Sequence, residues 1–165
     1  MKYVLAELIA VALFLCSCGS SMEVRERAFV QGAGIELSDG EWSIAVRIFE
    51  DDGTAVYFGS GNDFQEALDD SENSQGKDFF IGHIELLLLD KDDCDKVSEA
   101  LIKNNRMSPS CIVLLSDKPV SDTAENDTLE LYEAVQSRIR NNETEKVTLA
   151  DILRRREQRD EKDNV

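Results

Sequence analysis

The only histidine of the chain, His83, lies two residues before Glu85 in an apolar stretch that spans residues 79–90. Residues two apart on a strand share one face, so this pair has the spacing of a general acid and base. A hydrolase also needs a nucleophile, a third group that orients the base and a glycine-rich oxyanion loop, and the sequence places none of these beside the pair. We therefore interpret His83 as a partly buried histidine that hydrogen-bonds to Glu85 or to the backbone, and we predict no catalytic residue.

An acidic cluster follows the apolar stretch and has the composition of a calcium-binding loop. Its members are Asp90, Asp92, Asp93 and Asp95. Counted as an EF-hand loop from Asp90, the cluster has Cys94 at the fifth position and Leu101 at the twelfth, where the bidentate glutamate is required. Acidic residues also favour the N-terminal turn of a helix. We therefore predict a helix start here, without a metal or a cofactor.

Two cysteines, Cys94 and Cys111, lie in the body of the chain, and no C-x-x-C pair occurs. Scattered thiols and one histidine do not provide the ligand spacing of a zinc site. A helix of about ten residues that begins at Cys94 would carry the chain roughly 15 Å before Cys111 is reached. We therefore expect two free, buried thiols rather than a disulfide.

The composition limits the classes of partner. The chain has 34 acidic and 18 basic side chains, which give a net charge of −16. Such a surface repels phosphate backbones and anionic lipid headgroups, so nucleic-acid binding is not expected. A length of 165 residues gives room for one domain with a substantial core.

The first part of the folded region has the pattern of an antiparallel three-stranded meander. Asp-Gly pairs at 39–40 and 52–53 separate runs of alternating apolar residues, and Asp-Gly readily takes the positive φ of hairpin turns. The inward face of the first strand is predicted to carry Phe29, Ala33, Ile35 and Leu37. Gly32 and Gly34 leave the other face bare for a bulge or a close neighbour. The second strand, residues 42–48, is predicted to be half-buried.

The middle of the chain predicts a βαβ unit. The run at 79–90 is apolar on both faces, as in a central strand covered on both sides. A helix with Val97 and Leu101 inward separates it from a second apolar strand at 111–115, so the two strands are expected to be parallel and joined by a right-handed crossover. The fold class is α+β: the meander is extended by the βαβ unit into a mixed sheet, with helices packed against it in a single domain over residues 27–153.

A helix between the meander and the central strand is predicted from a capping box. Asn62 takes the cap position and Gln65 follows three residues later. This helix is expected to end in the polar run at 69–77.

Further helices are predicted towards the C-terminus. Residues 116–127 have the composition of a polar loop, and residues 128–141 form an amphipathic helix. Thr148 and Asp151 have capping-box spacing and begin a short last helix. Residues 154–165 are a charged tail without apolar partners and are expected to fray.

Residues 1–17 have the pattern of a lipoprotein signal peptide. A basic residue precedes an apolar stretch, residues 3–15, which is shorter than the about 20 residues of a membrane-spanning helix. The sequence Leu-Cys-Ser-Cys that ends at Cys18 resembles the bacterial lipobox, whose last cysteine receives diacylglycerol. Residues 18–26 would then tether the domain to the membrane. Two alternatives remain, an ordinary signal peptide with an unmodified Cys18 and an uncleaved anchor.

Four motifs occur in a fixed order along the chain. A Gly-x-Gly-Ile-acid strand lies at 32–36, a Gly-x-x-x-x-Phe-x-Glu-Ala-Leu helix entry at 59–68 and a Gly-His pair at 82–83, followed by Thr-Leu-Ala-Asp-Ile-Leu at 148–153. In this order and spacing they resemble the N-terminal domain of the Ger(x)C lipoproteins, the C subunits of spore germinant receptors. The resemblance spans residues 23–153. Members of that family carry further domains after this one, so the chain has the pattern of a single-domain relative, a truncated product or a subunit completed in trans.

The resemblance implies a non-enzymatic lipoprotein, lipidated at Cys18, on the outer face of the spore inner membrane. It would assemble with two integral membrane subunits that respond to nutrients. Our leading hypothesis is therefore a membrane-tethered, non-catalytic subunit of a germinant-receptor-like complex in spore germination. The second hypothesis is a bacterial envelope lipoprotein that binds a small ligand or scaffolds an unrelated complex, and the third is a hydrolase that uses His83 and Glu85. Beyond Cys18, the resemblance transfers no binding site.

Overall fold

A computed structural model describes residues 27–50, 53–103 and 107–163, with side chains up to Arg159. The predicted signal peptide, the lipidation site Cys18 and the tether over 18–26 lie outside the described residues. Within these ranges no helix combines the length and the apolar character that crossing a membrane requires.

The predicted meander is confirmed. Its strands are β1 (Arg27–Ser38), β2 (Glu41–Glu50) and β3 (Gly53–Gly61), and both pairings are antiparallel. The turn from β1 to β2 places Asp39 at φ 53° and Gly40 at φ 87°. Positive φ at both positions matches the twist of the flanking strands, which is the reason that Asp-Gly is favoured in two-residue hairpins.

The βαβ unit is also confirmed. It consists of β5 (Leu86–Asp90), α2 (Cys94–Lys103) and β6 (Ile112–Ser116), and β5 lies parallel to both β1 and β6. The strand order is β3-β2-β1-β5-β6, so the meander and the βαβ unit form one mixed sheet. A short strand, β4 (Asp78–Phe80), pairs in parallel with the start of β1. The α+β fold class predicted from the sequence is therefore correct.

The single strand predicted over residues 79–90 is wrong in one respect, because a 3₁₀ turn (Ile81–His83) divides it into β4 and β5. Phe80 of β4 lies opposite Phe29, and Leu86 of β5 lies opposite Gly32. From Phe80 to Leu86 the chain advances six residues, whereas β1 advances only three residues between their partners. The extra residues cannot pair with β1, and they form the 3₁₀ turn.

Helices cover both faces of the sheet. The first face is packed by α1 (Phe64–Gln75), by α2 and by α5 (Leu149–Asp163), and the second by α3 (Pro119–Glu125) and α4 (Thr128–Arg140). On the first face, Phe64 of α1 and Leu149 of α5 join one apolar cluster with the inward residues of the strands. The smaller cluster on the second face brings Val135 of α4 against β5 and β6.

The first helix differs from its prediction at its N-terminal end and ends, as predicted, within the polar run 69–77. Asp63, rather than Asn62, is the N-cap, and its carboxylate accepts a hydrogen bond from the Glu66 backbone nitrogen at 2.9 Å. The Glu66 carboxylate accepts from the backbone nitrogen of Asn62 at 3.0 Å, so it pairs with the residue before the cap rather than with the cap residue, as a capping box would. The helix continues to Gln75 and ends at a glycine with φ 76°.

Two elements near the C-terminus are more helical than predicted. The expected polar loop over 116–127 contains α3, in which Pro119 takes the first turn, where its missing N–H needs no partner. The last helix begins with the predicted box, since Asp151 accepts from the Thr148 nitrogen at 3.0 Å. It continues to Asp163 instead of ending near residue 153, because arginines beyond that point form ion pairs with α2.

The second strand is buried on both faces, so the prediction of a half-buried β2 is wrong. Ala45 is fully buried and Arg47 is only 7% exposed, because α3 covers this face of the sheet. The Arg47 guanidinium donates to the backbone oxygens of Thr123 at 3.0 Å and Ala124 at 3.2 Å. A cation is favourable at the C-terminal end of α3, where these carbonyls lack partners within the helix.

Candidate interaction site

The first strand contains a β-bulge at Gln31. Val30 lies opposite Ile48 and Gly32 lies opposite Arg47, so Gln31 is an extra residue without a partner on β2. The bulge reverses the alternation of side chains before it. For this reason Phe29, which was predicted to face the core with Ala33, is instead 44% exposed.

The bulge is joined to the segment that carries Glu85. The backbone oxygen of Gln31 accepts a hydrogen bond from the Glu85 nitrogen at 3.3 Å. The side chain of Gln31, unlike its backbone oxygen, is not hydrogen-bonded to any of the described residues. Its Oε1 and Nε2 are both buried. Leaving buried polar groups unpaired costs on the order of 1–3 kcal/mol for each group. Such groups are rare in folded proteins and call for an explanation.

Gln31 lines a cleft of about 290 Å³ between β1, the end of β2 and the start of α4, which we name the bulge cleft. Phe29, Phe49 and Leu129 line it and remain 44%, 57% and 40% exposed. Thr128, which is 2% exposed, lies deeper. The bulge cleft therefore combines an apolar rim with a buried carboxamide, and a mainly apolar cavity with a few polar groups is typical of a binding site.

A second cleft, which we name the polar cleft, adjoins the first. It has a volume of about 380 Å³, and His83, Glu85 and Tyr132 line both clefts. Ser108 and Ser110 line it as well, and their hydroxyl groups hydrogen-bond to each other at 2.8 Å.

The structure does not form the acid–base pair that was considered for His83 and Glu85. His83 ends the 3₁₀ turn and Glu85 precedes β5, so the two do not share the face of one strand. The prediction that His83 is partly buried is wrong, because the side chain is exposed. Its ring packs edge-to-face on Phe80 at a centroid distance of 5.0 Å, and Phe80 packs in the same way on Phe29 at 5.6 Å. His83 thus extends the aromatic surface beside the bulge cleft.

The cysteine beside the polar cleft does not have the properties of a nucleophile. Cys111 is 3% exposed, and burial, together with the negative charge of Glu85, raises the pKa of its thiol to about 12. The thiol therefore stays protonated at neutral pH, whereas the thiolate is the reactive form. Cys94 and Cys111 are both free, as predicted, although Cys94 is half-buried rather than buried.

The acidic cluster after β5 is engaged within the protein. The Asp90 carboxylate accepts from the Asp92 nitrogen at 2.8 Å, Asp93 pairs with Lys96 at 2.7 Å, and the Asp95 carboxylate pairs with an arginine of α5 at 2.7 Å. The described part of the chain contains no group of three or more histidine, cysteine, aspartate or glutamate side chains arranged to hold a metal ion. The cluster surrounds the start of α2, at Cys94.

Sequence reasoning did not identify the bulge cleft. The two glycines of β1 indicated a bulge, but the partner strands and the helix that surround Gln31 depend on contacts between distant parts of the chain.

Comparison with known proteins identifies one family. The family model described as the spore germination protein N-terminal domain matches residues 20–164. No curated protein and no solved structure shows significant similarity to the chain. The match contains both clefts and every strand and helix described above.

Proposed function

Because the chain belongs to the family of spore germination protein N-terminal domains, we propose that it is a lipid-anchored, non-catalytic subunit of a spore germinant-receptor complex. The observation that carries the proposal is the family match over residues 20–164. A role related to germinant receptors follows from that membership. The anchor, the absence of catalysis and the membership of a complex are our proposal.

A binding role agrees with the chemistry of the two clefts. The buried thiol of Cys111 is held in its unreactive form, and the His83 ring packs on Phe80. The bulge cleft offers an apolar rim and one carboxamide without a partner among the described residues, which are groups that bind and orient a partner. These properties support an interaction module rather than a hydrolase.

The proposed anchor places the domain close to the membrane. Arg27, the first residue of β1, follows Cys18 by nine residues. A fully extended segment of this length spans roughly 30 Å. The start of β1 would then lie near the outer face of the bilayer, on the side where integral membrane subunits are accessible.

Lipidation is tested by replacing the two neighbouring cysteines one at a time. Cys18→Ala should abolish incorporation of labelled fatty acid and release the chain from membranes in detergent-free fractionation, because the acceptor thiol is removed. Cys16→Ala is the matched control, and it should leave both properties unchanged. Labelling that survives Cys18→Ala, or that both substitutions remove equally, would overturn the proposed site.

Participation in germination is tested in the spore-forming host. Spores that lack the chain should lose optical density more slowly after addition of the nutrients that trigger germination, and the wild-type gene should restore the rate. Purification of the tagged chain should recover multi-spanning membrane subunits. Normal germination with all effective nutrients, together with copurification of an unrelated envelope complex, would favour the alternative of a general envelope lipoprotein.

A further inference from the structure

We propose that the bulge cleft is a docking site for a segment of a partner protein that presents one aromatic side chain flanked by lysine or arginine. The inference deepens the proposed function, since it names the chemistry of the partner, and it rests on that function only for the statement that a complex supplies the segment. Four observations carry it, and they concern the carboxamide, the rim, the charge and the position of the cleft.

The carboxamide of Gln31 provides the polar recognition. One donor group and one acceptor oxygen are both buried at the wall of the cleft without partners among the described residues. Because Gln31 as a residue is partly exposed, rotation of its side chain into the cleft would bring the carboxamide to an inserted peptide group, which has the complementary acceptor and donor. The bulge is what directs Gln31 away from the ladder between β1 and β2.

The rim indicates a macromolecule rather than a small ligand. Phe29, Phe49 and Leu129 keep about half of their surface in solvent. A protein segment that fills the cleft and extends over its rim would cover more of this surface than a small ligand. Contiguous exposed apolar surface with a polar border is typical of protein interaction sites. An aromatic insert suits the ring edges and faces of the two phenylalanines.

The charge around the bulge cleft specifies the flanks of the segment. Among the lining residues and their immediate neighbours in the chain, five are acidic and none is lysine or arginine. Glu85 lines the cleft, and Asp127, Glu130 and Glu133 flank its α4 residues. Glu50, the fifth, accepts a hydrogen bond from Tyr57 on the other face of β2. Basic flanks are therefore attracted, while a second copy of this chain or an anionic bilayer would bring like charge against this border.

The position of the cleft agrees with a membrane-proximal partner. Phe29 and Gln31 lie within five residues of the point where the tether enters β1. The rim is therefore carried on the part of the domain that the proposed anchor holds nearest to the bilayer. An extracytoplasmic loop of an integral membrane subunit reaches this region without a long extension.

The test uses the full chain in nanodiscs of zwitterionic lipid, labelled with ¹⁵N-glutamine. The probe is the capped peptide acetyl-Lys-Phe-Lys-amide, and the measurement is the movement of the side-chain amide signals. The signals of Gln31 should shift with saturation, whereas those of Gln158, which is exposed on α5 at the opposite face of the sheet, should stay in place. Acetyl-Lys-Ala-Lys-amide should not bind, and acetyl-Glu-Phe-Glu-amide should bind more weakly at low salt.

Two exposed phenylalanines provide a matched pair of variants. Phe49→Ala should weaken binding about tenfold, which corresponds to ~1.4 kcal/mol. Phe58→Ala should not change it, because Phe58 is 52% exposed but lies outside the bulge cleft. Leu129→Ala, on another element, should also weaken binding, and this keeps the test valid if Phe49→Ala perturbs the fold.

Several outcomes would overturn the proposal. They are unmoved Gln31 signals, equal binding of the alanine peptide, and equal loss of binding in Phe58→Ala. Shifts of Gln31 that grow with protein concentration without peptide would assign the cleft to a second copy. Broadening of Gln31 by spin-labelled lipid would assign it to the bilayer. The fatty-acid labelling of Cys18 is a separate measurement, so the failure of one proposal is distinguishable from the failure of the other.

Discussion

Gly34 is a residue of β1 that lies close against α3, on the second face of the sheet. A Cβ atom at this position would lie 2.0 Å from the backbone oxygen of Pro119 and 2.3 Å from Oγ1 of Thr123. The sequence left two alternatives for this glycine, a bulge or a close neighbour, and the structure shows a close neighbour. The identity of the neighbour was not predicted, because a helix of seven residues such as α3 has too few turns for a clear apolar period.

Gly34→Ala should destabilise the protein by about 3 kcal/mol, since backbone atoms rather than a mobile side chain occupy the space. The matched control is Gly40→Ala, where a Cβ atom has no neighbour within 4 Å. That control tests only the positive φ of 87°, for which about 1 kcal/mol is expected. Urea unfolding at neutral pH measures both, and equal costs would show that α3 does not pack on β1 as described.

Residue types also explain the motifs on which the family resemblance was based. Gly59 and Gly61 lie under α1, where an added Cβ atom would approach backbone atoms within 2.1 Å and 2.7 Å. Gly82 lies in the 3₁₀ turn and lines the polar cleft. Four glycines of the pattern, at 32, 34, 59 and 61, are therefore points of close approach between elements.

At the scale of elements, local sequence patterns were sufficient to predict the strands and helices whose partners are close in the sequence. The meander follows from Asp-Gly turns and alternation, and α2 follows from the spacing of Val97 and Leu101. The division of the predicted central strand was not predictable in this way. It results from the register of β4 and β5 against a bulged β1, and that register joins residues about fifty positions apart.

The last helix is longer than predicted because its charged half packs on α2. Arg159 pairs with Asp95 at 2.7 Å, and Glu99 of α2 accepts from both Arg156 and Lys103. Hydrogen bonds from Lys103 and then from Arg156 lower the pKa of Glu99 to about 2. A helix contact of this kind cannot be predicted from the spacing of apolar residues, since the residues that form it are polar on both helices.

This ion pair predicts a pH-dependent contribution to stability. The pKa of Glu99 is lower in the folded state than its ordinary value of 4.5. The contribution of the ionised Glu99 carboxylate to the unfolding free energy should therefore be complete at pH values above that ordinary pKa, and it should decrease as the pH falls towards about 2. The difference in unfolding free energy between the wild type and Glu99→Gln, measured by urea titration, should follow this course.

The control for the ion pair is Ser137→Ala, at an exposed position on α4. It removes no ionisable group, so its difference from the wild type should not change with pH. A difference between the wild type and Glu99→Gln that persists at the acidic end would contradict the assignment, as would the absence of any difference at neutral pH.

For the whole molecule, the net charge of −16 is the property with the widest effect. Like charges on one compact surface repel each other and lower stability, and salt screens this repulsion over about 10 Å at 0.1 M. The midpoint of urea unfolding should therefore rise when NaCl is increased from about 10 mM to about 200 mM. Combining Asp39→Asn, Glu41→Gln and Glu133→Gln, at three exposed positions, should flatten this response.

The same titration separates general screening from a specific metal site. Asp90, Asp93 and Asp95 are engaged with the backbone or with basic side chains, so calcium chloride at equal ionic strength should raise the midpoint by the same amount as NaCl. A larger rise with calcium that Asp92→Asn removes would instead assign a metal site to the acidic cluster. Equal responses in both salts would mean that the cluster acts through its charge and its contacts with α5, without a specific metal site.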